Sequence, residues 1–208
     1  MSKYRLDESP IYLEGSEVPK NKLGIVEAEL IHEIENNLLL QAYEHFASQI
    51  TEKTVLNETY FISLHKKTFE SLYDFAGLYR TVNMSKGDSQ FCLAKHLSSE
   101  SKRIFTELEN DAYLVTCNNK KAFVKQLTYY KSELIALHPF YELNGRTLRL
   151  FIDMLCLYNG YDFIDHSEAI ENNAYIEASI LCVQYADNTK MEEIIENGLK
   201  ERCNETQM

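Results

Sequence analysis

The residues of this sequence that could do chemistry are concentrated in one short segment, HPFYELNGRTLR, which runs from His138 to Arg149. Because a proline disfavours helical backbone at the preceding residue, we expect a helix to end at His138, with the imidazole at a helix-to-loop corner. An imidazole has an unperturbed pKa close to neutral pH, which suits a general base. Glu142 follows in the loop, and an isolated carboxylate beside phosphate groups typically carries Mg²⁺.

The next two residues, Asn144 and Gly145, predict the start of another helix. The first backbone amides of a helix have no partner within it, and together with the helix dipole they favour bound phosphate. Arg146 and Arg149 lie three residues apart, so we expect both guanidinium groups on one face of the first turns. Arginine binds phosphate oxygens two at a time. The segment therefore predicts a phosphate site with a base and a metal-binding carboxylate beside it.

A structural interpretation of the same residues must be weighed against this one. A His-Pro corner, an asparagine at a helix start and two arginines in a first turn also occur without any functional role. Two arginines at a helix start are, however, unfavourable for the helix dipole. A local arrangement that lowers stability favours the functional interpretation.

The net charge narrows the classes of partner. The chain has 21 basic and 32 acidic side chains, for a net charge of −11. Such a surface repels nucleic-acid phosphates and anionic lipid, so we expect neither nucleic acid nor a membrane as a partner. No apolar run approaches the ~20 residues of a membrane helix, and the first residues lack the apolar segment of a signal peptide.

The five cysteines are odd in number, widely spaced and without a CxxC pair: Cys92, Cys117, Cys156, Cys182 and Cys203. We expect reduced thiols in a cytoplasmic protein, several of them filling the core. Because the ligand spacing of a metal site is absent, the pattern argues against a structural metal.

Helical periodicity covers most of the chain. It predicts helices over residues 25–48, 58–75, 98–108, 120–137, 144–158, 167–186 and 190–202. In the first of them Leu30, Ile34, Leu38, Ala42 and Phe46 form the predicted inward face. Residues 79–93, with Lys86-Gly87-Asp88 in the middle, predict a short β-hairpin. No linker interrupts the chain, so we expect one domain over residues 1–208, with an arm (1–19), a core (20–167) and C-terminal helices (168–208).

The segment from His138 resembles the Fic signature, HxFx[D/E]GN[G/K]RxxR. The matching residues are His138, Phe140, Glu142, Asn144, Gly145, Arg146 and Arg149. The resemblance extends over residues 20–167, through KNKLGI, the LHKKTFESLYDFAGLYRTVNMSKGDSQF stretch and GYDFIDHS. It implies an all-α Fic fold with a small β-hairpin flap. It also implies transfer of AMP from Mg·ATP to a Ser, Thr or Tyr hydroxyl of a target protein, and a bacterial toxin-like role.

The resemblance also implies a role for each matched position. These roles are general base for His138, Mg²⁺ carboxylate for Glu142, α/β-phosphate anion hole for Asn144 and Gly145, β-phosphate ligand for Arg146, and γ-phosphate ligand for Arg149. Lys86, Gly87 and Phe91 match the flap, which holds the target segment by strand addition. Phe140 matches a core position, in keeping with its aromatic bulk.

Leu143 departs from the signature, which has glycine there. A glycine suits a backbone with positive φ, which costs a leucine about 1 kcal/mol or more, and we expect the leucine to add bulk at the mouth of the phosphate site. Doc-type relatives, which phosphorylate, have lysine where this chain has Gly145, so Gly145 favours adenylylation. Three functions stay open: an AMP transferase, a nucleotide-binding regulator without turnover, and a transferase of another group.

Many Fic proteins are restrained by a helix carrying [S/T]xxxE[G/N], whose glutamate pairs with the second arginine of the signature. The nearest match in a helical segment is Glu196-Asn197, with Glu192 at the Ser/Thr position. Glu196 is therefore a candidate inhibitory residue, and the alternative is a solvated acidic helix. A separate antitoxin-like partner could supply the restraint instead. The sequence leaves the target and the oligomeric state open.

Overall fold

The computed structural model describes residues 5–6 and 11–202, and in this part of the chain helices dominate. The helices are α1 (Ala28–Ala47), α2 (Glu58–Phe69), α3 (Leu97–Asn110), α4 (Lys120–Leu137), α5 (Asn144–Tyr158), α6 (Ser167–Glu171), α7 (Ala174–Tyr185) and α8 (Thr189–Gly198). Short 3₁₀ turns cover Ala94–His96 and Ala112–Leu114. The predicted all-α class is confirmed, and α4 and α5 have the predicted bounds.

The predicted hairpin is present and gains a third strand. Strands β2 (Met84–Lys86) and β3 (Ser89–Gln90) are antiparallel, and Gly87 lies in the turn between them with φ +57°. Strand β1 (Arg5–Leu6) pairs antiparallel with the other edge of β2, so the strand order is β1-β2-β3. We call residues 84–91 the flap.

Three predicted helices differ from their periodicity, because α2 and α8 end early and the helix predicted over residues 167–186 is interrupted. Helix α8 ends at Gly198 instead of residue 202. Helix α2 ends at Phe69. The apolar residues that follow it leave the helix and pack in a loop against the core. The helix predicted over residues 167–186 is broken between α6 and α7, where Asn173 has a left-handed backbone (φ 63°). Asparagine adopts this conformation more readily than most residues, so it can end one helix and begin the next.

Helix α4 lies at the centre of the main core. It packs against α3, α5, α7 and α8, and its buried positions cover more than half of its circumference, whereas Lys125 and Gln126 are exposed. Helix α5 is also largely buried, from Leu148 to Cys156. Since the residues of the signature join α4 to α5, the loop between them is fixed at both ends by the best-packed helices of the molecule.

A second core cluster lies beside the first and joins the residues before α1 to α1, α2 and the α4–α5 loop. Its buried members are Val18, Ile31, Phe69, Leu72, Tyr73, Phe75, Ala76 and Leu143. The predicted inward face of α1 is partly wrong, because Leu30 is 44% exposed and Ile31 and Glu35 are buried instead. A carboxylate takes a core position there because it has partners, described below.

The described cysteines, Cys92, Cys117, Cys156 and Cys182, are free thiols, and Cys203 lies outside the described residues. Cys156 and Cys182 are buried, as predicted, whereas Cys92 is only half-buried. Within the described ranges, none of the helices has the length and apolar character to cross a membrane. The division into arm, core and C-terminal helices stays a prediction.

Candidate active site

His138 lies at the corner where α4 ends, as the following proline predicts. Its backbone is left-handed (φ 45°, ψ 59°), a conformation that costs a residue with a side chain about 1 kcal/mol. The ring stacks on Phe91 of the hairpin segment, with centroids 3.8 Å apart and planes 13° apart. Its Nδ1 lies 3.3 Å from the carbonyl oxygen of Ile135. A carbonyl only accepts, so Nδ1 carries the proton and Nε2 is the basic nitrogen of the neutral ring.

The surroundings of His138 keep its ring neutral. Burial lowers the pKa of His138 to about 3, and the positive charges of Arg80 and Lys86 act in the same direction. The hydrogen bond to Ile135 raises this pKa, with an influence smaller than that of burial but larger than that of either charge. At physiological pH the imidazole is therefore in the deprotonated form that a general base requires.

A second histidine supports the loop after His138. His65 of α2 stacks on the fully buried Phe140, with ring centroids 3.9 Å apart, and its Nε2 donates to the carbonyl oxygen of Glu142 at 3.1 Å. Its Nδ1 accepts the Gly77 amide at 2.8 Å, and burial lowers the pKa of His65 to about 4. Gly77 has φ +78°, and a Cβ there would lie 2.7 Å from Cβ of Lys66. Only glycine therefore brings this amide to His65.

Asn144 closes the loop on itself. Its side-chain amide donates to the carbonyl of Phe140 at 2.8 Å, and its Oδ1 accepts the Phe140 amide at 2.8 Å. The first intrahelical hydrogen bond of α5 runs from the amide of Thr147 to the carbonyl of Leu143. The amides of residues 144–146 thus precede the intrahelical bonds, and a Cβ on Gly145 would meet open space. The predicted anion-binding turn is accessible.

Leu143 has φ 65° and ψ 13°, the left-handed backbone expected of the glycine that usually stands there. Its side chain is buried in the second core cluster, 6% exposed, and is not among the residues that line the cavity described below. The expectation that it adds bulk at the mouth of the phosphate site is therefore wrong. The left-handed backbone directs Cβ into the apolar cluster between α1 and α2.

Donors from two described residues hold Glu142 at the edge of the loop. The Tyr12 hydroxyl donates to Oε1, and the backbone amide of Leu143 donates to Oε2 at 3.3 Å. In the described part of the chain, no group of three or more His, Cys, Asp or Glu side chains could hold a metal by protein ligands alone. One oriented carboxylate fits Mg²⁺ that arrives with a nucleotide, because this ion keeps waters and phosphate oxygens as its other ligands.

The two arginines of the signature have different partners. The Nη1 atom of Arg146 lies 2.8 Å from Oε2 of Glu35 on α1, a buried carboxylate that also accepts the Tyr73 hydroxyl at 2.5 Å. The guanidinium of Arg149 instead lies over the ring of Tyr175 on α7, 5.8 Å from its centroid. We expected both groups on one face, and the structure places them on the two sides of the first turns of α5.

One cavity of about 450 Å³ brings most of the predicted site residues together. These are Lys86, Gly87, Phe91, His138, Asn144, Gly145 and Arg149. The lining also has an apolar part from α5 and α7, which includes Leu148, Tyr175, Ile176, Ile180 and Val183. Among the described residues, Glu142 and Arg146 are not part of the lining and lie on the side of α5 that faces α1 and Tyr12.

Glu196 lies apart from this cavity. It is exposed on α8, and its backbone carbonyl accepts from Nζ of Lys120 at 3.1 Å. The described residues include no hydrogen bond or ion pair between Glu196 and Arg149. Inhibition through Glu196 stays a prediction, and it requires a rearrangement that brings this side chain to Arg149.

Sequence reasoning missed the buried polar groups behind Arg149. Lys131 is fully buried, with Nζ 3.1 Å from Nε2 of His166 and 4.9 Å from the ring centroid of Tyr175. Burial lowers the pKa of His166 to about 3, and the charge of Lys131 acts in the same direction. Lys131 lies within an apolar helical pattern, and this mismatch is the only signal in the sequence that could have revealed it.

Comparison with known proteins decides the family. A family model described as the Fic/DOC family matches residues 55–156. A protein from Sinorhizobium fredii named probable protein adenylyltransferase y4lH is 30% identical over 180 residues, which cover 86% of this chain and 91% of that protein. The chain belongs to the Fic/DOC family. A second relative, probable protein adenylyltransferase Fic of Salmonella typhimurium, is 29% identical over 173 residues, 81% of this chain and 82% of the relative.

The architecture of this Fic/DOC chain agrees with that of solved structures. The crystal structure of the BepC protein of Bartonella tribocorum, which contains bound AMPPNP, matches with a TM-score of 0.80 at 20% identity. The match covers 92% of this chain and 97% of that one. The predicted Fic fold is therefore confirmed.

Proposed function

We propose that this protein transfers AMP from Mg·ATP to a Ser, Thr or Tyr hydroxyl of a target protein. The observation that carries the proposal is the common cavity of His138, the start of α5 at Asn144 and Gly145, Arg149 and the flap. A base, an anion-binding helix start and a peptide-binding edge are what such a transfer requires. Relatives named as probable adenylyltransferases support the same reaction.

The polar and apolar parts of the lining favour one orientation of the proposed nucleotide. The free amides at Asn144 and Gly145, with the positive end of the α5 dipole, receive the α- and β-phosphates. Arg149 lines the cavity, and it is the proposed ligand of the γ-phosphate. The apolar wall around Tyr175 and Ile180 then suits the flat, apolar face of a nucleobase.

Arg146 joins the phosphate site from the other side of α5. One of its nitrogens is bonded to Glu35, and its side chain is 25% exposed. A guanidinium has five donors, so the remaining ones can serve the β-phosphate. Glu142 is the residue that would hold Mg²⁺, which neutralises phosphate charge when it is bound.

The chemical step is a displacement at the α-phosphorus. Nε2 of His138 takes the proton of the target hydroxyl, and the hydroxyl oxygen forms the new bond to the α-phosphorus. The bond between the α-phosphorus and the oxygen that bridges to the β-phosphate breaks, and pyrophosphate leaves. Positive charge at Arg146, Arg149 and the helix start stabilises the charge of the leaving group.

The flap leaves one edge for the target segment. The outer edge of β2 pairs with Arg5–Leu6, so the edge of β3 is the one that faces the cavity and α7. Ser89 of β3 is buried beside α7, and its Oγ accepts from the side-chain amide of Gln184 at 3.1 Å. An extended target segment beside β3 would place its hydroxyl near His138. The free thiols fit a reducing compartment, and we propose the cytoplasm as the setting.

The alternative of a regulator without turnover rests on Leu143, and the geometry weakens it. The side chain is buried away from the cavity, so it does not obstruct a nucleotide. A transferase of another group stays open, because the cavity does not by itself determine which phosphorus is attacked.

Labelled ATP separates the three functions. The protein is incubated with a bacterial lysate and ATP labelled at either the α- or the γ-phosphate, and label in protein is measured. Transfer of the α label alone supports AMP transfer. Transfer of the γ label would indicate a kinase-like reaction, and binding by calorimetry without transfer of either label would indicate the regulator. Identification of the labelled proteins would name the target.

A further inference from the structure

Arg80 is a buried guanidinium that connects the flap to the His138 corner. The residue is only 2% exposed. Its Nε donates to the carbonyl of His138 at 2.9 Å and its Nη1 to that of Val82 at 2.7 Å. Its Nη2 donates to the carbonyl of Cys92 and, at 3.4 Å, to that of Leu137. All four acceptors are backbone carbonyls.

These four acceptors lie at functionally distinct places. Leu137 and His138 end α4, where carbonyls lack intrahelical partners and the negative end of the helix dipole attracts a cation. Val82 and Cys92 stand before and after the flap strands. One side chain therefore holds both ends of the flap segment and the backbone of the proposed base.

The charge of Arg80 is balanced in an unusual way. In the part of the chain that the structure describes, no carboxylate forms an ion pair with it, and burial lowers the pKa of Arg80 to about 10. It is still charged at neutral pH, and burying such a charge is costly unless carbonyl dipoles surround it. The planar fork of arginine can meet several carbonyls at once, which a single lysine ammonium cannot do in the same geometry.

Neighbouring contacts connect the same two parts. The amide of Arg80 donates to the carbonyl of Pro139 at 2.8 Å, and the amide of Cys92 donates to that of Ala136 at 2.9 Å. The ring of Phe91 stacks on His138. His138 has a left-handed backbone, which the residue does not favour by itself, so the surroundings must impose it. The bond from Nε of Arg80 to the His138 carbonyl is placed to do so.

We propose that Arg80 is a positioning residue for AMP transfer, which sets the His138 ring relative to the flap that presents the target hydroxyl. The inference rests on the proposed function. It predicts that weakening the Arg80 hydrogen bonds affects turnover but not nucleotide binding. Nucleotide binding depends on the start of α5, whereas turnover depends on the position of His138 relative to the flap. A displacement of about 1 Å at a reacting group can lower a rate about 100-fold.

The test uses Arg80→Lys in the full chain, with Arg103→Lys as the matched control. Arg103 is an arginine of α3 whose side chain is 40% exposed and pairs with acidic residues on the surface. Three quantities are measured for the parent and both variants: the rate of α-label transfer to lysate proteins at saturating ATP, the Kd for Mg·ATP by calorimetry, and the protonation of the His138 ring by NMR between pH 5 and 8. The His138 signal is assigned with a His138→Asn variant.

We expect Arg80→Lys to lower the saturated transfer rate about 100-fold and to leave the Kd for Mg·ATP within twofold of the parent value. Among the described residues, the charged groups that act on His138 are Arg80 and Lys86, and Phe91 and the carbonyl of Ile135 also contact its ring. If the fork fixes this burial, the ring stays neutral throughout the pH range in the parent and in Arg103→Lys. In Arg80→Lys it begins to take up a proton within the range.

Parental transfer by Arg80→Lys together with an unchanged His138 signal would overturn the proposal. Equal losses of ATP binding and of transfer would also overturn it, because they indicate a general structural role. The NMR measurement keeps the inference separate from the proposed function. A parent that transfers no AMP removes the proposed function, whereas the ring signal still shows whether Arg80 positions His138.

Discussion

At each end of the α4–α5 loop, a different kind of contact stabilises the same unfavourable backbone conformation. His138 and Leu143 both have left-handed backbones, and neither is a glycine. At His138, hydrogen bonds to the backbone and the stacked ring of Phe91 hold the conformation. At Leu143 the side chain enters an apolar cluster with Ile31 and Phe69. One end contributes an imidazole to the lining of the cavity, and the other contributes only to packing.

Within a single short loop, His138 has the proposed catalytic role and Leu143 has a packing role. The backbone at both ends costs about 1 kcal/mol, and the compensation at each end determines what the residue can do. Polar compensation leaves the ring of His138 beside the cavity, whereas burial of Leu143 removes its side chain from it. We therefore expect substitutions at the two ends to affect different measurements.

The largest effect is expected at the histidine end. His138→Asn keeps a residue that tolerates a left-handed backbone and removes the base, so AMP transfer should fall about 1000-fold. The Kd for Mg·ATP should stay within twofold, since the phosphates contact other groups. Label transfer and calorimetry measure the two quantities, and His45→Asn, at an exposed position on α1, is the control. Parental transfer by His138→Asn would remove the assigned base.

The free energy of unfolding should depend on pH through three buried histidines. Only one of them, His138, lies in the α4–α5 loop. Burial lowers the pKa of His65 to about 4 and those of His138 and His166 to about 3, below the ordinary 6.5 of the unfolded chain. Below pH 6.5 the unfolded state then binds up to three more protons than the folded state. The histidines' contribution to the free energy of unfolding is therefore complete above that pH and is lost as pH falls. The slope approaches about 4 kcal/mol per pH unit between pH 6 and 5.

Urea denaturation at a series of pH values measures this slope. His138→Asn removes one of the three titrating groups and should lower the slope to about two-thirds of the parental value. A substitution at Leu143 should leave the slope unchanged. Equal free energies of unfolding at pH 6 and pH 5 would contradict the neutral, buried state of these rings.

At the leucine end we expect a change in stability and little change in rate. Leu143→Gly relieves the left-handed backbone but removes a buried side chain and loosens the unfolded chain, for a net loss of about 3 kcal/mol. Transfer of AMP should stay within about threefold, because the side chain does not line the cavity. Leu143→Met is the control, since it keeps both the volume and the backbone conformation at a cost below about 1.5 kcal/mol. A tenfold rise in transfer for the glycine variant would mean that leucine does constrain the phosphate site.

The smallest expected effect is on the pH profile of the transfer rate. A base with an unperturbed pKa would lose activity as pH falls through 6.5. Because burial lowers the pKa of His138 to about 3, the ring stays deprotonated well below that value. Saturated transfer should therefore change less than about twofold between pH 7.5 and 6, where the fold is still stable. A rate that falls tenfold over this range would show that the ring is more exposed to water during turnover.

The sequence predicted those parts of the site that depend on neighbours in the chain. Pro139 correctly placed the end of α4 at His138, and Asn144-Gly145 correctly placed the start of α5. Periodicity located the helices, with errors where Asn173 interrupts a helix and in the first half of α1, where Ile31 and Glu35 are buried instead of Leu30. The break at Asn173 shows that local pattern does not reveal where a turn residue outweighs periodicity.

The parts that were missed depend on contacts between distant segments. Glu35 occupies a core position because Arg146, on another helix, neutralises it. Arg80 finds four carbonyl acceptors on three segments, and no spacing in the sequence indicates backbone acceptors. The direction of the Leu143 side chain follows from a backbone angle, which the residue type does not reveal.

The paired hydrogen bonds between Asn144 and Phe140 have a consequence for which sequences this loop accepts. The side-chain amide contacts the backbone of Phe140 through one donor and one acceptor, as a neighbouring strand would. These hydrogen bonds close the loop into a small ring. The ring closure constrains the backbone angles of residues 141–143. The signature can then change at position 143 without changing the path of the chain, whereas replacing Asn144 by Asp would remove the donor and open the ring.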